Sequence, residues 1–305
     1  MTYILGISCF YHDSAVALIG DGQLVAAAME ERFTRLKNDN SFPKLAIEFC
    51  LRQAGITAAD LDYVVFYEKP MVKFERILMS TLGSFPRSRD VWREAMLAWL
   101  PEKLWVKSII QNHLKIDAAR VLFCDHHMAH AASAFFCSPY DEAAILTVDA
   151  VGEWTTTTLG RASANWNGSG TNAINLFSEQ RFPHSLGLLY SAFTAFLGFK
   201  VNEGEYKVMG MAPYGQPRYV DKIYKLFDLH DDGSFALNMD YFSFQYSATE
   251  TYNGKFIDLF GERRKGDDDF FTLKTNPERS AERTAIDRNQ YYADVAASIQ
   301  QVTED

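Results

Sequence analysis

The sequence has 305 residues, a length that suits two domains or one large domain. Hydrophobic residues make up 48% and charged residues 23% of it, a composition that excludes an intrinsically disordered chain. The net charge of −9 argues against a nucleic-acid partner, because phosphate backbones are bound by clustered Lys and Arg. No apolar run approaches the roughly 20 residues that cross a bilayer, so no membrane partner is expected.

The cysteines and the N-terminus indicate a cytoplasmic protein. No signal peptide is visible, because Met1 leads into a strand-like run without a basic segment. The cysteines show no C-x-x-C spacing and each lies in an apolar stretch, which predicts buried thiols instead of disulfides or a zinc ribbon: Cys9, Cys50, Cys124 and Cys137.

The first thirty residues predict three antiparallel strands. Ile4–Cys9, Ser14–Ile19 and Gln23–Met29 are strand-like, and Asp21 with Gly22 forms a favoured type I′ hairpin turn.

The next segment predicts helices around one further strand. Pro43 and Gly55 suit the start and stop of an amphipathic helix, and Asp62–Tyr67 is the next strand candidate. Arg89–Leu114 is typical of one or two amphipathic helices broken by Pro101.

The same element order then recurs. Ala143–Val148, Thr155–Leu159 and Ile174–Glu179 are strand candidates, and Leu188–Leu197 is a helix candidate. Strand, turn, strand, turn, strand, helix therefore occurs twice, offset by about 140 residues, which indicates an internal duplication. The pattern matches the α/β actin-like architecture of two related lobes, while two unrelated hairpin units are the alternative.

This duplication predicts a first lobe over residues 1–140 and a second over residues 141–305. Asp228–Asp269 is polar and irregular, so we expect surface loops and short strands there, within an insert at about residues 228–285. Gln290–Val302 predicts a helix, and we expect the chain to be cut from a longer protein because this helix runs to the last residue, Asp305.

A histidine pair is the sharpest candidate site. Asp125 can cap a following helix, on which His126 and His130 lie four residues apart on one face while His127 points elsewhere. Two imidazoles at this spacing can share a metal ion, although such pairs also arise by chance. Asp149 follows a buried strand and supplies a carboxylate to complete a two-histidine, one-carboxylate set.

Two further segments carry candidate residues. His12 and Asp13 lie in the first turn and could transfer a proton, and Lys37 downstream could hold a phosphate, although turns tolerate such residues without any function. Glu203–Gly215 contains glycines among acidic and basic residues, which suits close approach to a nucleotide. By composition alone a purely structural turn explains that segment better.

Five motifs in order resemble the NodU/CmcH O-carbamoyltransferase family, which includes nodulation-factor, cephamycin and tobramycin carbamoyltransferases. They are Y-H-D-S-A, E-E-R-F-T-R-x-K, H-H-x-A-H-A-A-S-A-F, V-D-x-x-G-E-W and E-Y-K-V-M-G-M-A-P-Y-G. The resemblance implies an actin-like α/β domain, related to the tRNA threonylcarbamoyladenosine synthase, that continues into a C-terminal YrdC-like domain. It further implies that carbamoyladenylate, made from carbamoyl phosphate and ATP with Mg²⁺, gives its carbamoyl group to a small-molecule hydroxyl.

The resemblance also implies roles for individual residues. His126, His130 and Asp149 match the ligands of a divalent iron or zinc ion, and a further aspartate ligand is expected beyond Asp305. His12, Asp13 and Lys37 match the carbamoyladenylate pocket, with His12 as the base. Four more residues fall in motifs of the lobe that binds the nucleotide in this family: Gly152, Glu153, Glu205 and Lys207.

The sequence also leaves other functional interpretations to weigh. The chain lacks the D-x-G-x-x-x-x-K of sugar kinases, which disfavours phosphoryl transfer. A tRNA-modifying relative is disfavoured by the charge, and a catalytically idle half that needs a partner chain remains an alternative. A homodimer is a further expectation.

Overall fold

The computed structural model describes residues 1–166 and 171–305. The chain divides into two compact units. Unit 1 comprises Met1–Met79, Trp92–Ile145 and Arg161–Leu176, and unit 2 comprises Ser80–Val91, Leu146–Gly160 and Phe177–Asp305. The domain boundary that the sequence predicts between residues 140 and 141 stays a prediction.

Unit 1 is built on a five-stranded sheet with the order β3-β2-β1-β4-β5. Strands β1 to β3 are antiparallel neighbours, whereas β4 and β5 run parallel to β1. The bounds are β1 Tyr3–Ser8, β2 Ala15–Gly20, β3 Gln23–Met29, β4 Tyr63–Phe66 and β5 Val121–Phe123. The first four strands are therefore confirmed to within a residue or two. The predicted hairpin turn is also confirmed, since Asp21 and Gly22 both have positive φ, at 46° and 80°.

Helices follow the strands of unit 1. They are α1 Glu31–Thr34, α2 Lys44–Ala54, α3 Pro70–Gly83, α4 Arg89–Trp99, α5 Val106–Leu114 and α6 His126–Phe135, and α3 and α4 each cross a unit boundary. The helix after Pro43 and the break around Pro101 are confirmed, whereas α3 was not predicted. Apolar side chains of α2 and α5 pack on one face of the sheet, against residues that include Leu5, Leu18 and Phe66.

A buried carboxylate fixes the start of α2. The side chain of Glu30 accepts hydrogen bonds from the backbone N–H groups of Leu45, at 3.1 Å, and Ala46, at 2.8 Å. These amides have no partner within their own helix, so Glu30 satisfies them from a neighbouring segment. The first glutamate of the E-E-R-F-T-R-x-K motif therefore has a structural role.

The second repeat begins with a sheet of order β6-β7-β8. Its strands are β6 Glu142–Val148, β7 Thr155–Ser163 and β8 Ala173–Arg181, and helix α7 follows at Leu186–Phe196. The α/β class and the repeated order of three strands and a helix are thus confirmed. The remaining elements belong to unit 2: α8 Glu205–Met211, α9 Val220–Ile223, β9 Phe227–Leu229, β10 Phe235–Leu237, α10 Gly254–Phe260 and α11 Arg283–Glu304.

The polar segment expected to form surface loops contributes to the core of unit 2, so that expectation is wrong in part. Phe242, Phe256 and Phe260 are buried together with α7 and α11, and Phe256 lies on the unpredicted helix α10. Widely spaced aromatic side chains suffice for this packing, because each buries a large apolar area despite polar neighbours in sequence.

The expectation of four buried thiols also needs correction. Cys9 and Cys50 are buried, but Cys124 is half-buried and Cys137 is exposed after α6. An apolar local sequence does not by itself bury a side chain at the end of a helix. Within residues 1–166 and 171–305, no helix is both long and apolar enough to cross a lipid bilayer.

Candidate functional site

His126 and His130 lie on the first turns of α6 and face each other. Their Nε2 atoms are 3.0 Å apart, a distance at which one ring can also donate a hydrogen bond to the other. Two nitrogen ligands at 2.0–2.1 Å from a tetrahedral ion lie about 3.3 Å apart, so the pair is nearly in position to share one ion. The predicted histidine pair is brought together by unit 1 alone.

Asp125 does not cap α6, contrary to the prediction. It occupies the N-cap position, but its carboxylate makes no hydrogen bond to the helix amides. Instead Asp125 Oδ1 accepts a hydrogen bond from Lys69 Nζ at 2.5 Å. A charged partner from another segment thus replaces the capping interaction.

Asp149 belongs to unit 2 and directly follows β6. Its backbone N–H donates to the carbonyl of Thr156, and its own Oδ1 accepts from the N–H of Ala150 at 2.7 Å. The hydroxyl of Ser185 donates to its carbonyl oxygen at 3.1 Å. These contacts hold the backbone at the end of the strand, and the membership of Asp149 in the metal site remains a prediction.

Glu68 is a buried acidic residue that the sequence did not single out. Its Oε2 accepts a hydrogen bond from Lys73 Nζ at 2.6 Å and lies 3.5 Å from His126 Nδ1. Burial acts to raise the pKa of the Glu68 carboxyl, but the approach of His126 and the charge of Lys73 outweigh it, so the pKa lies below its ordinary value. A carboxylate behind an imidazole orients the ring and leaves Nε2 for a ligand. The available signal was a glutamate directly after the predicted strand Asp62–Tyr67.

His12 and Asp13 form a hydrogen-bonded pair. His12 Nδ1 lies 2.7 Å from Asp13 Oδ2, and the His12 side chain is about half exposed. If Asp13 accepts the Nδ1 proton, His12 Nε2 carries a lone pair and can accept a proton from a substrate. The geometry therefore fits the base predicted from the first turn.

The residues that follow α1 hold the His12 turn in place. The N–H of Phe10 donates to the carbonyl of Asn40, and the N–H of Ser14 donates to the carbonyl of Asp39. Lys37 immediately precedes this segment and is exposed, and no hydrogen bond or ion pair of Lys37 is found in the described part of the chain. Lys37 is near the turn in sequence, and its contact with a ligand remains a prediction.

Contacts within unit 1 connect the His12 turn to the histidine pair. The rings of Tyr11 and His12 have centroids 4.6 Å apart, and Lys73 Nζ lies 4.9 Å from the centroid of the Tyr11 ring. Lys73 pairs with Glu68, which in turn approaches His126. The candidate base and the candidate metal ligands are therefore joined by a short series of side-chain contacts.

The predicted nucleotide residues lie in unit 2. Glu205 accepts hydrogen bonds from the N–H of Asn202 and of Gly204, and from the Ser191 hydroxyl, so it stabilises the start of α8. Lys207 is exposed and lies 5.9 Å from the centroids of the Phe199 and Tyr206 rings. None of these contacts tests a nucleotide role.

Two other predicted residues precede β7. Gly152 and Glu153 are buried, and the N–H of Gly152 donates to the carbonyl of Thr155 within the connection between β6 and β7. Their binding role also remains a prediction.

A cavity in unit 1 is apolar. Its volume is about 1000 Å³. About half of its lining residues are small ones from β1, β2, β3 and α6, including Gly6, Ala17 and Ala132. It offers few polar groups for transfer chemistry.

Comparison with known proteins identifies relatives of the whole chain. A family model described as "Carbamoyltransferase N-terminus" matches residues 3–305. "Uncharacterized protein sll1178" from Synechocystis sp. is 52% identical over 312 residues, which cover 100% of this chain and 47% of that protein. "Nodulation protein NolNO" from Sinorhizobium fredii is 34% identical over 239 residues, which cover 76% of this chain and 32% of that protein. The chain spans about half, or less, of the length of these relatives.

Solved structures give weaker similarities. YeaZ from Pseudomonas aeruginosa has a TM-score of 0.31 and 15% identity, covering 60% of this chain and 68% of that chain. Component A of the (R)-2-hydroxyglutaryl-CoA dehydratase from Acidaminococcus fermentans has a TM-score of 0.34 and 11% identity, covering 100% of both chains. At these scores neither similarity adds to the fold assignment.

Proposed function

Because the chain belongs to the carbamoyltransferase N-terminus family, we propose that it transfers a carbamoyl group to a hydroxyl of a small-molecule acceptor. We propose carbamoyladenylate as the donor and a sugar or natural product as the acceptor class. The observation that carries the proposal is the series of contacts in unit 1 from the His12–Asp13 pair to the His126–His130 pair.

We assign His12 as the general base. The acceptor hydroxyl gives its proton to His12 Nε2 as its oxygen bonds to the carbamoyl carbon, and AMP leaves with the bonding electrons. Asp13 stabilises the imidazolium that forms, because its carboxylate lies at hydrogen-bond distance from Nδ1. We place Lys37 and the predicted nucleotide residues at the donor: Gly152, Glu153, Glu205 and Lys207.

We propose His126, His130 and Asp149 as ligands of a divalent iron or zinc ion. The donor set of two imidazoles and a carboxylate suits these metals, and the short Nε2–Nε2 distance fits a shared ion. When bound, such an ion acts as a Lewis acid toward the donor. Glu68 holds the His126 ring from its Nδ1 side.

Activation of carbamoyl phosphate with ATP and Mg²⁺ is assigned to the part of the longer relatives that this chain does not match. We further propose a cytoplasmic reaction and a chain that can form a homodimer.

The transfer step can be tested with the chain itself. Preformed carbamoyladenylate, Fe²⁺ or Zn²⁺, and a panel of sugar alcohols are incubated with it, and carbamate products are detected by mass spectrometry. We expect product with the wild type and a loss of at least about 100-fold in rate with His12→Asn. His230→Asn is the matched control, since His230 is exposed in unit 2. An unchanged rate in the His12 variant contradicts the assigned base.

Metal content tests the ligand set separately. His130→Ala should lower bound metal, measured by elemental analysis after dialysis, whereas His230→Ala should not. If both variants retain the metal of the wild type, the pair on α6 is not its site. Binding of labelled tRNA at physiological salt, without carbamate formation, would instead favour the RNA-modifying alternative.

A further inference from the structure

The five-stranded sheet of unit 1 has two faces that differ in their side chains. Ile7, Val16 and Leu18 belong to the hydrophobic core that contains residues of α2 and α5. Successive side chains of a strand point to opposite faces, so Gly6 and Ala17 belong to the other face, here called the second face. Strand pairing aligns its residues in two rows across the sheet: Ala27, Ala17, Gly6 and Val65 in one, and Met29, Ala15 and Ser8 in the other.

The second face exposes apolar side chains even on an interior strand. β2 lies between β3 and β1 in the sheet. Its Leu18 is completely buried in the core, whereas Ile19, on the second face, is 38% exposed. Leu122, which pairs with Val65 at the other end of the first row, is 44% exposed. An apolar sheet face is stabilised when another element of structure packs on it, because its side chains then leave water.

The residues of both rows line the apolar cavity of about 1000 Å³. Two helices contribute to the same lining, α1 with Arg32 and Phe33 and α6 with Ala129 and Ala132. A Cβ added at Gly6 would have only the carbonyl oxygen of Ala17 within 4 Å, at 3.7 Å, so there is open space above the centre of the first row. The second face is therefore an open, mostly apolar groove with a sheet as its floor.

The dimensions of the groove suit an α-helix. Neighbouring strands lie about 4.8 Å apart, so the floor from β3 to β1 is about 10 Å wide, which is close to the diameter of a helix. A cylinder of that diameter with a volume of 1000 Å³ is about 13 Å long, or roughly two helical turns. The small residues of the first row let the backbone of such a helix approach closely.

The relatives of the chain indicate where such a helix comes from. The family model that matches residues 3–305 describes the N-terminal part of carbamoyltransferases. The Synechocystis protein matches the whole of this chain with only 47% of its own length, so it has a further part of comparable size. A second copy of this chain fits the groove less well, because a symmetric contact would bring two concave surfaces together and leave a void between them.

We propose that the second face is the docking surface for an α-helix from the part of the longer carbamoyltransferases that this chain does not match. The helix lies over β1, β2 and β3 and presents an apolar stripe to Gly6, Ala17 and Ile19. This interaction goes beyond the proposed transfer, because it uses neither the His12–Asp13 pair nor the histidine pair of α6.

A chimaera tests the docking surface. Residues 1–305 are joined to the part of the Synechocystis protein outside its match, and Ala27→Cys places a thiol on the exposed end of the first row. The rate of maleimide labelling is measured for each peptide by mass spectrometry. We expect labelling at position 27 to be at least about tenfold slower in the chimaera than in residues 1–305 alone, since the thiol reacts only when the helix moves away.

Two further variants sharpen the comparison. Leu24→Cys is the matched control, because Leu24 is 64% exposed on the same strand and does not line the cavity. Its labelling rate should be equal in the two proteins. Ala17→Arg fills the middle of the floor, so in the chimaera it should restore fast labelling of the thiol at position 27.

Three results would overturn the proposal. The first is an equal labelling rate at position 27 in the chimaera and in residues 1–305. The second is slow labelling of residues 1–305 alone that becomes fast on dilution, which would assign the face to a second copy. The third is slow labelling of residues 1–305 alone together with a copurified lipid in native mass spectrometry, which would assign the face to a small apolar ligand.

Thermal unfolding shows whether the chimaera is folded. If it is not, the same labelling is done on the intact Synechocystis protein and on its 312 matched residues, with cysteine at the position aligned with Ala27. Neither experiment uses a carbamoyl donor, an acceptor or a metal, so a failure of the docking proposal leaves the proposed transfer untouched.

Discussion

The charged residues of the two units differ in the groups that they contact. In unit 1, Glu68 contacts both Lys73 and His126. Glu68 and Lys73 also line a small cavity together with Tyr11, the neighbour of His12. In unit 2, Glu205 and Gly215 of the motif that begins at Glu205 have structural roles. The Glu205 carboxylate accepts from backbone amides, and Gly215 lies against the backbone of α11.

The difference shows that acidic, basic and glycine residues in one motif do not by themselves mark a site. A carboxylate that accepts backbone N–H groups stabilises a chain segment, because those amides otherwise lack a partner. A carboxylate that faces a lysine and an imidazole beside a cavity can shape the charge presented to a ligand. The partners of each side chain therefore separate the two roles.

The largest expected effect is the loss of the Glu68 carboxylate. Glu68→Gln leaves Lys73 buried without its counter-charge, so we expect the free energy of unfolding in urea to fall by about 3 to 5 kcal/mol. Glu75→Gln, on the exposed side of α3, is the control and should stay near the wild type. The double variant Glu68→Gln with Lys73→Met should recover most of the lost free energy of unfolding. If it recovers none, the loss in Glu68→Gln does not come from the broken ion pair.

Packing of the unit 2 motif predicts the next effect. A Cβ at position 215 would lie 2.0 Å from the carbonyl oxygen of Ala293, so Gly215→Ala should lower the free energy of unfolding by about 3 kcal/mol as α11 shifts. Gly210→Ala is the control within the same motif, because nothing lies within 4 Å of its added Cβ. That variant should be stabilised by about 0.5 kcal/mol, since alanine favours the helix. Equal unfolding curves for both variants would contradict the packing role.

A histidine of unit 2 predicts a smaller, pH-dependent effect. The N–H of Leu237 donates to His184 Nδ1 at 3.0 Å, and burial lowers the pKa of this imidazole from 6.5. Its neutral form therefore stabilises the fold above pH 6.5, and this contribution is lost as the pH falls through the lower folded-state pKa.

Urea unfolding between pH 8 and pH 5 measures this contribution. His184→Gln should lose about 1 kcal/mol at pH 8 and show a flatter decline toward pH 5 than the wild type. His230→Gln changes an exposed histidine and should keep the wild-type slope of unfolding free energy against pH. If the slope of the His184 variant is also unchanged, the buried acceptor role is wrong.

The smallest effect on stability is expected at Lys207. Its contacts with two aromatic rings are exposed, so Lys207→Ala should change the free energy of unfolding by less than about 0.5 kcal/mol. We expect the affinity of the Lys207→Ala variant for ATP, measured by calorimetry, to fall by about tenfold, since a lysine contact to phosphate is lost. If the Lys207→Ala variant binds ATP as tightly as the wild type, Lys207 does not contact the nucleotide.

Local patterns in the sequence determined most of the secondary structure. Alternating apolar residues and the Asp21–Gly22 turn define the hairpin of β2 and β3, and i, i+4 spacing places His126 and His130 on one helix face. These features depend only on residues a few positions apart, so they can be recognised in the sequence without the tertiary structure. Helix α3 escaped prediction, and with it Lys73 and Arg76.

Only the tertiary structure decided which charges meet. Asp125 is positioned to cap a helix by its sequence, yet its carboxylate pairs with Lys69. The small cavity draws Cys9, Glu68 and Lys103 from segments far apart in the chain. Such contacts depend on how strands and helices pack, because the energy of a buried charge is set by the groups around it and not by its neighbours in sequence.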